Sequence, residues 1–348
     1  MAHYMQFAPT FEPRLLERIL PLGIKNNNDD VVIQVLSAAS RRYKEAPQGL
    51  IDTIFMPAIR YFAAKDDARW INLVWYLRGE QSFLSDLTAD QAATVLGSLV
   101  HLREIDTHAE FVLLDLAVRH QEKVFDFFGA RLRFAGSRDE DANERYVAVP
   151  FRFFELQKSF AKITEHAVGF VRKLFVPDDP MFQHQGGRLL ASGFPDFAPP
   201  FAETLKAYLQ SGNRDDIDYV IQVLSSYHGD VSLTTMCRAV IGRLSADDAL
   251  LSDVEIVLQN IGTVSGEFGL VQAYQAQKQE MAGWLRDPDE KIRAFAEGYV
   301  RMLDRQIAGE QRRSEEGLEM RKRITAIRIP VTRRDGCECN VRNIRRQP

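Results

Sequence analysis

The chain has 348 residues, of which 45% are apolar, 26% charged and 10% aromatic, and a formal net charge of −4. That is enough apolar material for a large core or for more than one domain, which excludes a disordered chain. The small net charge gives no general reason to expect a polyanionic partner.

Three cysteines, Cys237, Cys337 and Cys339, are too few for a disulfide framework and fit a reducing compartment. Residues Met1 to Thr10 lack a basic stretch followed by an apolar one, so no secretory signal is read there. No apolar run approaches the ~18–20 residues that span a bilayer. The expected location is the cytoplasm, with no membrane contact. The charge is uneven: Arg321 to Pro348 carries nine Lys/Arg and two Asp/Glu, a local +7 that leaves −11 on residues 1–320. An acidic body with a basic tail is the clearest asymmetry of the sequence.

Helical periodicity then dominates along the chain. A first helix is expected over 12–20. Val31, Val35, Leu36 and Ala39 make one apolar stripe and place a second over 29–44. Further helices are expected at 49–63, 67–78, 88–104, 108–118 and 121–134. Thr88-x-x-Gln91 and Thr107-x-x-Glu110 match the capping box, in which the first side chain accepts from a free helix N–H and the fourth residue reaches back. Ala135–Arg145 and Val176–Pro200 read as long loops, the second packed through Phe182, Phe194 and Phe197. Residues 146–150 suggest an extended piece too short to matter. Helices are expected again at 151–162, 165–175, 200–210, 215–227, 231–243, 249–261, 268–285 and 288–323. The last follows Asp287-Pro288, a capping residue with proline at the first helical position. It is longer than its neighbours and loses its apolar stripe after Ile307, which leaves a polar second half to dock onto an effector or a second subunit.

No pair of alternating strands is found. The expected fold class is all-α, an α-solenoid of antiparallel helix pairs: an N-terminal helical-repeat half at 1–134, a C-terminal half at 151–326 and a basic, irregular tail at 327–348. Repetition supports this. Val-Ile-Gln-Val-Leu-Ser occurs at 32–37 and again at 220–225, each copy after an Asp-Asp pair. Helix pairs recur at about 35–45 residues, the range of HEAT-type repeats.

Within 284–303, Trp284-Leu285-x-Asp287, Ile292-Arg293-x-x-Ala296, Val300 and Leu303 resemble the HEAT-repeat pattern. The resemblance implies that Leu285 ends one helix, that Asp287 caps the turn, and that Ile292 and Arg293 open the next. It further implies that Asp287 and Arg293 link neighbouring repeats and that the small Ala296 lets paired helices approach. A wider set is similar to the C-terminal helical-repeat regions of large bacterial proteins of host–phage conflict systems. It comprises Gly266-Glu-Phe-Gly269, Ala273-Tyr274, Ala294-Phe-Ala296 and Glu310-Gln-Arg-Arg-Ser-Glu-Glu316. In those proteins a helical array senses or scaffolds beside an effector.

A search for chemistry finds none. Gly186-Gly187-Arg188 reads as a flexible turn rather than an anion cradle. His101, Glu104 and His108 stand at i, i+3 and i+7, but Asp106-Thr107 interrupts the helix between them. Cys337-x-Cys339 has no second ligand pair nearby. Ser225-Ser-Tyr-His228-Gly-Asp230 has the letters of a triad without its geometry. His-Glu dipeptides of the HEAT-like hydroxylases are absent. No catalytic, cofactor-binding or metal residue is therefore assigned. The leading expectation is a non-enzymatic scaffold, sensor or regulatory module that binds another protein through its groove, in a bacterial defence setting. Candidate partner contacts are Trp70, Trp75, Arg312 and Arg313. The alternative is a nucleic-acid-interacting HEAT-like protein, a DNA base-excision enzyme among them, against which the acidic body counts.

Overall fold

A computed structural model describes residues 13–45, 49–76, 82–137, 146–175, 180–228, 231–262 and 264–327. Among them the chain is all-helical, without a strand, and no helix is long and apolar enough to cross a membrane. It forms two compact units, Met1–Asn260 and Ile261–Pro348. The division expected between 134 and 151 falls inside the first. The basic tail beyond Ile327, with Cys337 and Cys339, lies outside the described residues.

The first unit begins with α1 (Pro13–Lys25) and α2 (Asp29–Arg41). The Asn28 side chain caps α2 by accepting from Val31 N at 3.1 Å, and Asp29 and Asp30 offset the positive helix end. A π-turn, Ile51–Phe55, runs into α3 (Met56–Ala63). The segment expected as a helix at 67–78 is a 3₁₀ helix over Arg69–Tyr76. Ahead of α4 (Ala89–Ser98) the Thr88 capping box is present in both directions, at 2.8 and 3.3 Å.

Helix α4 stops at Ser98, six residues before the expected end. The carbonyls of Leu99, Val100 and Leu102 leave the helix and accept from Arg131. The two helices expected at 108–118 and 121–134 are one, α5 (Thr107–Gly136), kinked at His120. There His120 Nε2 lies 2.8 Å from the Leu87 carbonyl and must donate to it, since a carbonyl only accepts. The Thr107–Glu110 capping box is a correction. Asp106 caps α5 by accepting from Ala109 N at 2.8 Å, and Glu110 turns inward to other donors.

After α5 come α6 (Gln157–Phe160), α7 (Thr164–Leu174), α8 (Pro180–Gly193), α9 (Pro199–Ser211), α10 (Arg214–Leu224), α11 (Val231–Ile241) and α12 (Leu250–Gln259). Helix α8 occupies the stretch expected as a loop, and the Gly186-Gly187 pair sits inside it. A Cβ at Gly187 would meet Ser226 Oγ at 2.5 Å and the Gln222 carbonyl at 3.0 Å. The glycine therefore lets α8 and α10 approach backbone to backbone. Packing of the fully buried Leu189 and Leu190 outweighs the low helix propensity of the pair. From α7 to α12 the packing is regular. Helix α7 rests on α8 and α9, α8 on α10, α9 on α10 and α11, α10 on α11 and α12, and α11 on α12. The two hexapeptide copies fall in α2 and at the end of α10 and share a buried Val, Val and Leu: Val32, Val35 and Leu36 in one, Val220, Val223 and Leu224 in the other, while Ser37 and Ile221 are buried and their counterparts Ser225 and Ile33 are not.

The second unit holds α13 (Gly269–Met281), a short 3₁₀ turn Trp284–Arg286 and α14 (Glu290–Ile327), the longest helix of the described residues. Helices α13 and α14 pack along Val271, Met281, Ile292, Ala296, Tyr299 and Leu303. Beyond Leu303 no described side chain of α14 is fully buried.

Arg131 is 0% exposed and donates to five main-chain carbonyls, those of Leu99, Val100, Leu102, Val147 and Ala148, at 2.7–3.2 Å. Removing it takes the donor from the carbonyls of Leu102, Val147 and Ala148, while those of Leu99 and Val100 keep Leu102 N and Tyr146 Oη. Arg131→Met is expected to lower the stability of the protein by about 3–5 kcal/mol in urea unfolding. Arg131→Lys should recover only part, because an ammonium cannot reproduce the planar fork.

Cys237 is buried in α11, and burial pushes its thiol up to about 12. An acid with a raised pKa stays protonated below it, so at pH 8 only about one molecule in ten thousand carries the reactive thiolate. In a Cys337→Ser/Cys339→Ser background, native protein at pH 8 should resist maleimide labelling, and the label should enter only as denaturant opens the fold. Rapid stoichiometric labelling of the native state would contradict this.

Candidate functional site

Residues 146–156 have no helix or sheet to satisfy their backbone, yet much of the segment is buried. Side chains from helices do that work instead. Arg131 of α5 takes the carbonyls of Val147 and Ala148 at 2.7 and 2.9 Å. Ser192 of α8 donates to those of Pro150 and Phe151 at 3.0 and 3.3 Å. Glu110, also of α5 and buried, accepts from the N–H groups of Phe154, Glu155 and Leu156 through one oxygen at 2.7, 2.7 and 3.0 Å. Val147 N donates to the Arg103 carbonyl at 2.8 Å. This is why the helix expected at 151–162 shrinks to α6: three of its N–H groups serve a carboxylate instead of an earlier carbonyl.

The pinned segment presents aromatic side chains in two directions. Phe153 and Leu156 are fully buried, and Phe153 lies 5.0 Å from the Phe128 ring and 5.9 Å from the Phe160 ring. Phe151 and Phe154 point out, 84% and 70% exposed, with Arg152 exposed between them. Beneath Phe151 opens a cavity of about 400 Å³, walled by Ile105, Ala148 and Val149 and edged by His184, Gln185 and Arg188. The Arg188 guanidinium lies 5.9 Å from the centre of the Phe151 ring, the outer range of a cation–π contact.

A larger cleft, about 980 Å³, lies between α5, α7 and α9. His166 lines it, with Nε2 2.8 Å from Asp126 Oδ1 and Nδ1 3.7 Å from Glu122 Oε2. A histidine held by a carboxylate suits proton transfer, but it needs a nucleophile aligned with it. The two threonine hydroxyls of the cleft are turned elsewhere: Thr164 donates to the Ala161 carbonyl and Thr204 to that of Pro200. Among the described residues no group of three or more His, Cys, Asp or Glu side chains is placed to hold a metal ion. His101 and His108 stand on either side of the Asp106 cap, each near an aspartate, Asp66 and Asp106 respectively, at 3.7 Å.

The residues singled out in the sequence are scattered over both units. Trp70 is 1% exposed and belongs to the core, which leaves it no surface to offer a partner. The side chain of Trp75 lies outside the described residues. Arg312 and Arg313 are exposed on α14 and engage their own helix, through the Ala308 carbonyl and Glu310. In the turn before α14, Asp287 accepts from Asp289 N at 3.0 Å, and Asp289 in turn accepts from Lys291 N at 2.9 Å. Arg293 donates to the carbonyls of Asp287 and Pro288 at 2.6 and 2.9 Å. Ile292 and Ala296 are buried, while Leu285 is half exposed.

Sequence reading missed Arg131, Ser192, Phe151 and Phe154, took Glu110 for a capping residue and read Arg188 as part of a flexible turn. One signal was available: Phe151-Arg-Phe-Phe154 directly follows Pro150 and keeps no helical stripe. Comparison of the chain with family models, with curated proteins and with solved structures finds no match.

Loss of the Glu110 carboxylate should loosen the segment without dismantling the helices. Glu110→Ala is expected to cost about 2–3 kcal/mol, as hydrogen bonds to a buried charge are lost. Amide exchange at 154–156 should rise well ahead of exchange in α10. Phe151→Ser/Phe154→Ser, by contrast, should change stability by no more than about 0.5 kcal/mol, since neither side chain is packed.

Proposed function

We propose that this chain is a non-enzymatic helical-repeat module, an α-solenoid of HEAT-like helix pairs, that binds another protein. The packing of α7 to α12, in which partners stand one or two helices apart, supports the repeat reading, because stacked repeats touch only near neighbours. The hexapeptide that shares a buried Val, Val and Leu in α2 and α10 supports it too. In this reading Asp287 and Arg293 hold the turn of the last repeat and take no part in chemistry.

The observation that carries the binding reading is the pinned segment with Phe151 and Phe154 exposed. Exposed aromatics on a flexible loop lose much of their binding energy to ordering. Here Arg131, Glu110 and Ser192 have already fixed the backbone, so the side chains are pre-organised anchors. Two large apolar side chains held out into water mark an interaction surface. Resemblance to the helical arrays of bacterial conflict systems supports reading the partner as an effector or a target sensed by the array. The nucleic-acid reading, with base excision as its enzymatic form, has less support: it needs an exposed tryptophan beside a carboxylate in a basic groove, and Trp70 is buried.

Affinity capture from the native host, with wild type and Phe151→Ser/Phe154→Ser run in parallel at equal thermal stability, tests the proposal. A stoichiometric protein partner should come down with wild type and fall by about ten-fold or more with the variant. Equal recovery by both would remove the segment from consideration.

A further inference from the structure

We infer that the cavity beneath Phe151 is a peptide-recognition pocket for a partner segment that carries a carboxylate beside a large apolar side chain. The inference rests on the protein-binding reading above and names the chemistry of the partner.

Arg188 supplies the first half. Its Nε is buried and has no hydrogen-bond partner among the described residues, and no ion pair reaches its guanidinium there. A charged donor buried without an acceptor is costly, and an arriving acceptor offsets that cost. The planar fork of an arginine matches a carboxylate better than any other acceptor of a protein chain. Among the described residues one acid stands at the rim, Glu104; it is exposed to water and forms no bridge to Arg188. Arg152, next to Phe151 in the chain and exposed, adds a positive charge.

Phe151 and Phe154 supply the second half. The cavity walls Ile105, Ala148 and Val149 are apolar and buried, and the Phe151 ring stands over them. At about 400 Å³ the space admits one large side chain together with a carboxylate. The carbonyls of Val147 and Ala148 already accept from Arg131 and those of Pro150 and Phe151 from Ser192, and none of the four accepts from Arg188.

The test is selection of phage-displayed random dodecapeptides on the full-length protein, followed by fluorescence anisotropy with the fluorescein-labelled winners. Enriched peptides should place Asp, Glu or a free C-terminus within two positions of Leu, Ile, Phe or Trp. Arg188→Gln should weaken them about ten-fold or more. Replacing the acid of the peptide by its amide should weaken binding to wild-type protein equally, a measurement that does not depend on how the variant folds. No enrichment, enrichment without an acid, or indifference to both changes would overturn the inference. So would fluorescein-labelled oligo-dT that binds the wild type and is released by Phe151→Ser/Phe154→Ser. Should host-partner capture need Phe151 and Phe154 but ignore Arg188, the pocket chemistry falls while the protein-binding proposal stands.

Discussion

One buried guanidinium constrains the first unit more than any other group. Arg131 has no solvent access, so every one of its donors needs an acceptor inside the protein. It finds them on two separate stretches of irregular backbone, the turn after α4 and the segment after α5. Each stretch in turn has carbonyls that no helix satisfies. The arrangement is reciprocal: without the turn and the segment the charge would be stranded, and without the charge the carbonyls of Leu102, Val147 and Ala148 would lose their donor. Burial lowers the Arg131 pKa to about 10, which still leaves it a cation at neutral pH. The same helix carries the complementary group. Glu110, on the near side of the His120 kink, accepts three N–H groups from the other end of the segment. Helix α5 thus fixes residues 147–156 from both ends, carbonyls with a cation and amides with an anion.

That constraint sets what the surface can do. Main-chain groups satisfied internally have no reason to rearrange, so the conformation that exposes Phe151 and Phe154 is the one the buried network prefers. Phe153, one residue along, faces in and packs on Phe128 and Phe160. Exposed apolar area therefore stands where buried hydrogen bonds hold the backbone, the condition for anchor residues in the proposed interface.

Amphipathic helices were legible in the sequence because their apolar spacing and caps are local properties. The Thr88–Gln91 box, the α2 and α10 hexapeptides and the long final helix could be read without knowing the fold. What stayed hidden depends on contacts distant in sequence. Arg131 and Arg133 are separated by one leucine and look alike as letters; one is fully buried and the other exposed. Glu110 stands where a capping box wants its glutamate, yet the pull of three unsatisfied N–H groups more than forty residues away decides its direction. Helix α8 was obscured by Gly186-Gly187, which reads as a break until α10 is seen to need the missing side chain at Gly187. The candidate site lay in the 146–156 stretch that periodicity passes over, since it has neither a 3.6-residue nor a sheet-paired pattern.

The same distinction between local and distant support decides how firmly α14 is held. A helix of 38 residues is about 57 Å long, while α13, with 13 residues, covers about 20 Å. Packing can therefore support only the first third, and the buried stripe ends at Leu303 accordingly. Beyond it Gly309 and Gly317 each cost about 1 kcal/mol relative to alanine. The pairs Glu310–Arg313, Gln311–Glu315 and Glu319–Arg323 return a few tenths each. Local terms alone would leave this stretch frayed. Two contacts from the turn before α13 tie it back: Ser314 donates to the Glu267 carbonyl at 2.7 Å, and Arg321 pairs with the Glu267 carboxylate. One residue thus supplies the main tertiary hold on the distal helix, while Met320 and Ile324 remain exposed on it. It follows that the distal half of α14 depends on Glu267 in the way that the 147–156 segment depends on α5. Its hold is weaker, because partly exposed pairs are screened by water and Arg131 is not.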